Sequence, residues 1–475
     1  MGQEIGRSHF EPADFAGFEQ RLEGETRLFA QLERGRRLSQ RCCTLGFEVE
    51  AWLVQRDLLP APINTEYLAA LDDPFVVPEL SRFNVELNGT PQELRGAAIS
   101  RLETELTHTW RRCLEVSQRM DSALVLIGIL PTIRESDLTM ANVSPLKRYE
   151  ALNEQILRLR GGRPLTVDIR RTEHLHTTHS DVMLEAATTP FPLPVPRRGA
   201  RPPRLYNAAL IASAPVLAAG VNSPFLFGRC LWAETRVPLF EQSVAVHAPG
   251  ADPAWRRVSF GRGYVADGLT ELFEENRARF PVLLPIVSDD AVDRLAHLRL
   301  HNGTIWRWNR PLIGFDHDGT PHLRVEHRVL PAGPSIVDMA ANAAFFTGVA
   351  AALHTREPPP EQGLRFEQAR ANFYAAARDG LDATIDWTDM PAVDVRTVIL
   401  EQLLALASDG LGALGVDGGD IAHYLGVIER RVQLRRTGAA WQCAFIERHG
   451  RDPRDLTAAY LENQRSGAPV HEWPL

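Results

Sequence analysis

LGFEVEAWLV, residues 45–54, alternates with the two-residue period of an extended chain. Read as a β-strand, it points Leu45, Phe47, Val49, Ala51 and Leu53 one way and Gly46, Glu48, Glu50 and Trp52 the other. Two carboxylates therefore project side by side from one face. They repel unless water, arginine or a cation neutralises them.

The same signature recurs twice. In SRFNVELNG, Phe83, Val85 and Leu87 share one face, and Asn84, Glu86 and Asn88 share the other. In HLRVEHRVL, Arg324, Glu326 and Arg328 alternate with Leu323, Val325 and His327. This run follows TIWRWNRPLIGF through DHDGTP, a turn that predicts a hairpin. Glu79 lies seven residues before Glu86. Strands carrying Glu48, Glu50, Glu79, Glu86 and Glu326 could jointly hold hard divalent cations such as Mg²⁺, which take oxygen ligands. From pattern alone, solvated faces with glutamate–arginine pairs account for these strands more readily than a metal site does. Arg328 reads equally well as a phosphate ligand or as a structural partner of Glu326.

Between these strands the pattern is mostly helical. Residues 11–41 form a charged, periodic arm, and Thr90, Pro91 and Glu93 predict the capped start of a helix running to Met120. Val182–Val195 predicts one strand or two, Leu205–Ala219 an apolar helix, and residues 250–280 an irregular polar stretch. EHLHTTH, with His174, His176 and His179, lacks a metalloprotease spacing and reads as a polar loop in preference to a zinc site. From Pro334 onward helices dominate, with REPPPEQG at 356–363 as a candidate boundary.

Composition narrows the chemistry. The 475 residues carry a net charge of −8, with no basic stripe for nucleic acid. Lys147 is the only lysine among 52 basic residues, which excludes a P-loop and leaves phosphate binding to arginine, backbone amides or metal. Five sparse cysteines form no metal or disulfide framework, and no apolar run reaches about 18 residues, so a cytoplasmic protein without a membrane partner is expected. A homo-oligomer is compatible with the sequence.

GFEVE at 46–50, ELSRFNVELNGTP at 79–91, VMLEAATT at 182–189, VLAAGVNSPFLFGRCLWAETR ending at Arg236, HNGTIWRWNRP at 301–311 and HLRVEHRVLPAGP at 322–334 together resemble the glutamate-cysteine ligase type 2 family of carboxylate-amine ligases. The resemblance implies an α+β fold like that of glutamine synthetase. Helices would flank an antiparallel sheet funnel, with an arm over 1–41, a catalytic core over 42–355 and a helical region over 356–475. It implies Mg²⁺ and ATP, with a small carboxylate such as glutamate activated as an acyl phosphate and captured by an amine. Glu48, Glu50, Glu79, Glu86 and Glu326 would be metal ligands, and Arg328 would contact the transferring phosphate. Arg310, Arg229 and Arg236 would serve the nucleotide phosphates or the substrate carboxylate. One segment departs from the family pattern: Pro190-Phe191-Pro192-Leu193-Pro194 replaces a strand that carries Gln and His toward the metals. A non-catalytic homologue that binds nucleotide or an amino acid is the alternative this departure favours.

Overall fold

The computed structural model describes residues 4–41, 44–195, 202–246, 256–388 and 390–475, and these form a mixed α+β structure. Cys42 and Cys43 lie outside the described residues. The Glu48–Gln55 strand is central. It pairs antiparallel with Asn84–Asn88 on one side, where Glu50 faces Glu86 and Glu48 faces Asn88, and with Ser122–Val125 further along. Val76–Pro78 adds an edge strand with Val77 opposite Glu86. Val49, Ala51, Leu53, Val85 and Leu87 are fully buried in the larger core. On the opposite face Trp52 stacks on Phe83, with ring centroids 5.4 Å apart, in a second core.

A second sheet pairs Asn309–Phe315, Pro321–His327 and Leu193–Val195. The two sheets meet along residues 190–195. Phe191 donates its N–H to Leu330 O, and Leu193 faces His327, so this segment turns its intact donors toward the second sheet. Toward the first it offers carbonyls alone: Glu50 N donates to Pro190 O at 3.3 Å and Glu48 N to Pro192 O at 3.4 Å. Proline has no N–H to return. Pro190 and Pro192 thus lead into Leu193–Val195, the edge strand of the second sheet, and reach the first sheet through their carbonyls alone, as proline at an edge can.

Around this double sheet lie helices. Ile336–Thr355 is buried over most of its length and packs against Pro202–Gly220 and Leu404–Leu414. Gly348 and Gly410 permit the second contact: a Cβ on Gly410 would stand 2.1 Å from Gly348 O. Ile336–Thr355 and Val395–Leu414 are each long and apolar enough to cross a membrane, and the first is 83% buried inside the fold. The arm helix, Pro12–Arg34, is tied down where Glu25 accepts from Leu298 N at 2.8 Å and meets His297 Nδ1 at 2.6 Å.

Several elements differ from expectation. Thr90 and Pro91 do not open the helix, which begins at Ala98; Gln92–Glu93 pairs instead with Thr44–Leu45, and Thr90 N donates to Glu105. His174–His179 is not a loop but a strand paired with Leu165–Arg170. Met183–Ala187 is a short 3-10 turn, so a single strand, Leu193–Val195, remains from the stretch expected to hold one or two. Thr270–Arg279 is helical within a stretch expected to be irregular, and an additional hairpin, Thr384–Trp387 with Met390–Asp394, interrupts the helical C-terminal region.

Candidate carboxylate-rich active site

Register decides what shares a face. Residues paired directly across antiparallel strands project to the same side, so Glu50 and Glu86 lie together, joined by Glu48 one step along. Glu79 follows the edge strand, and its Oε2 accepts from Leu80 N at 2.9 Å and from the Tyr149 hydroxyl at 3.4 Å. Ligand oxygens of Glu50, Glu79 and Glu86 come within 4.8 Å of one another. Glu326 belongs to the second sheet and faces Arg310. Pro190 and Pro192 stand between the two groups of acids, opposite Glu50 and Glu48.

The acids differ sharply in charge state. Burial, then Glu79, pushes Glu86 up to about 7. Burial followed by repulsion from Glu86 and Glu326 raises Glu48 to about 7, and its buried Oε2 has no hydrogen-bond partner. Glu50 is pushed well above the carboxylate range by burial and by Glu79, Glu185 and Glu86, and Glu79 is raised by burial and Glu185. Glu326 moves the other way. Burial opposes its ionisation, but Arg310 and Arg328 outweigh burial and hold it at about 2. Arg310 grips it bidentately, Nε to Oε2 at 2.9 Å and Nη2 to Oε1 at 3.1 Å, while Arg328 Nη1 reaches Oε2 at 3.3 Å.

Glu185 is the member that strand alternation missed. It sits in the 3-10 turn at Met183–Ala187, is raised to about 7 by burial, and acts on Glu50 and Glu79. Its signal was in the VMLEAATT block, but a one-turn element has no periodicity to show where a side chain faces.

The remaining arginines are placed differently. Arg236 is buried with its guanidinium on Glu234, at 3.1 Å, and on the carbonyls of Arg328 and Val329, and it lies 5.4 Å from the Trp308 ring. It therefore steadies the backbone that carries Arg328. Arg229 is exposed on the Phe225–Cys230 hairpin and donates to His174 O at 2.7 Å, so it does not join the carboxylates.

An all-carboxylate oxygen set with a buried orphan oxygen fits Mg²⁺. Glu50, Glu79 and Glu86 would hold it, with Glu48 and Glu185 beside them.

The glutamate-cysteine ligase family 2 (GCS2) model matches residues 44–459. No curated protein matches the chain in sequence. In structure it is similar to a Francisella tularensis glutamate–cysteine ligase in complex with AMP: 14% identity, TM-score 0.57, covering 92% of this chain and 91% of that one. It is also similar to a bifunctional glutathione synthetase from Pasteurella multocida: 12% identity, TM-score 0.51, covering 92% of this chain and 54% of that one. With the family model spanning most of its length, the chain belongs to the glutamate-cysteine ligase family 2.

Proposed function

We propose that the protein is an ATP- and Mg²⁺-dependent carboxylate-amine ligase. The observation that carries this is the convergence of Glu50, Glu79 and Glu86 within 4.8 Å beside an arginine-locked Glu326. The strands from Glu48 to His327 would form the funnel wall, with the arm over 1–41 and the helices over 356–475 packed on a core over 42–355.

In this reading the γ-phosphoryl group passes to an oxygen of the substrate carboxylate, glutamate being the candidate, and ADP leaves. An amine then attacks the acyl phosphate, the C–N bond forms as the C–O bond to phosphate breaks, and inorganic phosphate departs with that electron pair and takes up the proton the nitrogen sheds. Bound Mg²⁺ supplies positive charge against the phosphate oxygens. Arg328 supplies the protein's own cation at that place, and Arg310 keeps it aimed by sharing Glu326. Arg236 contributes through the main chain it holds, while Arg229, held on His174 O away from the carboxylates, would meet only a ligand group that reaches the hairpin.

Glutamate-dependent ADP release measured against a panel of amines, cysteine among them, tests the reading. The wild type releases ADP only with a productive amine, and Glu86→Gln loses that release. Release that no amine stimulates would sink it. The competing reading, a homologue that binds nucleotide without ligating, is favoured by Pro190 and Pro192, which place no ligand atom opposite Glu50 and Glu48. Tight nucleotide binding with no turnover for any amine would select it.

A further inference from the structure

The Leu165–His179 hairpin turns a different set of donors toward solvent. In its register Asp168 faces His176 and Arg170 faces His174, which puts all four on one face. Ligand atoms of Asp168, His174 and His176 lie within 4.8 Å of one another. His174 Nε2 is 3.1 Å from Asp168 Oδ1, and His176 Nδ1 is 3.5 Å from Asp168 Oδ2. His179 points away and meets Glu135 Oε1 at 3.1 Å.

We infer that Asp168, His174 and His176 form a second metal site, for a borderline divalent cation of the zinc, cobalt or nickel class. Three observations support it independently of the ligase chemistry. Two imidazoles and one carboxylate are the donor set that such ions select and that Mg²⁺ does not. The backbone bearing them is pinned from outside the hairpin: Asp168 N donates to Gln242 Oε1 at 2.8 Å, Arg229 donates to His174 O at 2.7 Å, and Trp232 Nε1 donates to Arg170 O at 3.1 Å. All three ligands are also exposed, leaving the remaining coordination positions to water. The protein would then hold two kinds of ion, sorted by donor chemistry: oxygen only among the buried glutamates, and mixed nitrogen and oxygen on the hairpin.

Arg170 competes for the same carboxylate. Its Nε and Nη2 reach Asp168 at 3.0 and 3.2 Å, in an exposed pair that is cheap to exchange. A cation that takes Asp168 releases Arg170; both line a cavity of about 420 Å³ together with Arg256, Arg370, Glu241 and Trp232. Metal on the hairpin thereby raises the positive charge available in that cavity.

Calorimetric titration of the full chain with ZnCl₂, under excess Mg²⁺ to occupy the oxygen cluster, reads the site directly. One zinc per chain is expected. The His174→Ala, His176→Ala double variant, altered at exposed positions and checked for an unchanged circular dichroism spectrum, loses affinity by at least about tenfold. Arg170→Gln binds zinc more tightly, and Glu86→Gln binds it as the wild type does. Unchanged zinc binding in the double variant overturns the site, as does loss of zinc in Glu86→Gln, which would place the ion among the glutamates. Unchanged or weaker binding in Arg170→Gln removes Asp168 from it.

Discussion

Glu86 and Glu326 are the same residue on neighbouring sheets, 1% and 3% exposed, yet they sit at opposite ends of the carboxylate range. Glu86 is driven to about 7 and Glu326 is held at about 2. Burial penalises both anions, so burial does not distinguish them. The difference is two guanidiniums: Arg310 and Arg328 enclose Glu326, while Glu86 faces Glu50 and Glu79. One half of the site is neutralised by the protein itself, and the other is built to be neutralised from outside. A buried arrangement of repelling acids costs folding energy, so its persistence marks function more firmly than a satisfied pair does.

The comparison breaks most violently if the neutralised half loses a cation. Arg310→Met leaves Glu326 partly uncompensated in the interior, and a loss of about 3–5 kcal/mol in chemical denaturation is expected. A loss under 1 kcal/mol would mean that Arg328 alone suffices. The other half should respond in the opposite sense. Glu86→Gln removes a repelling charge and raises the thermal midpoint of the metal-free protein, by up to about 3 kcal/mol in stability at pH 8, while shrinking the midpoint shift produced by Mg²⁺.

The pH dependence sharpens the same contrast. Glu48, Glu86 and Glu185 have folded values near 7, above an unfolded value of 4.5. The folded chain therefore binds more protons between these values, and metal-free stability falls as pH rises from about 5 through 7. Mg²⁺ must displace those protons, so its binding strengthens over the same window. Thermal melts at pH 6 and pH 8 with and without Mg²⁺ check both, and a Mg²⁺-induced shift larger at pH 6 contradicts them. The smallest effect concerns the seam between the halves. Pro192→Gln adds an oxygen opposite Glu48, and Mg²⁺ affinity should rise several-fold, about 1 kcal/mol, by titration calorimetry.

Much of this was legible in sequence, for identifiable reasons. LGFEVEAWLV declared itself because apolar Val49, Ala51 and Leu53 alternate with Glu48 and Glu50 on the other face, and period two survives intact. DHDGTP marked its hairpin because turn chemistry is local. His174–His179 escaped because the buried member between its outward histidines and Thr178 includes Thr177, whose polarity hides the alternation. Thr90 and Pro91 carry a helix-start signal, but Gln92–Glu93 was captured by Thr44–Leu45, a tertiary contact that local propensity does not encode. Motif spacing named the acids of the strands. Which of them repel and which are paired depends on sheet register, and that is set only when distant strands meet.

The proline strand has a mechanical consequence. Within each sheet the antiparallel ladder is made from both sides, whereas at the join Glu48 and Glu50 donate to prolines that give nothing back. The line between the acid-rich half and the arginine-rich half is therefore held by fewer hydrogen bonds than a full ladder of the same length, since separation there breaks half the usual rungs. Strain entering from a bound substrate would be taken up along that line first, parting or closing the two charge environments as stiff plates joined by a soft joint.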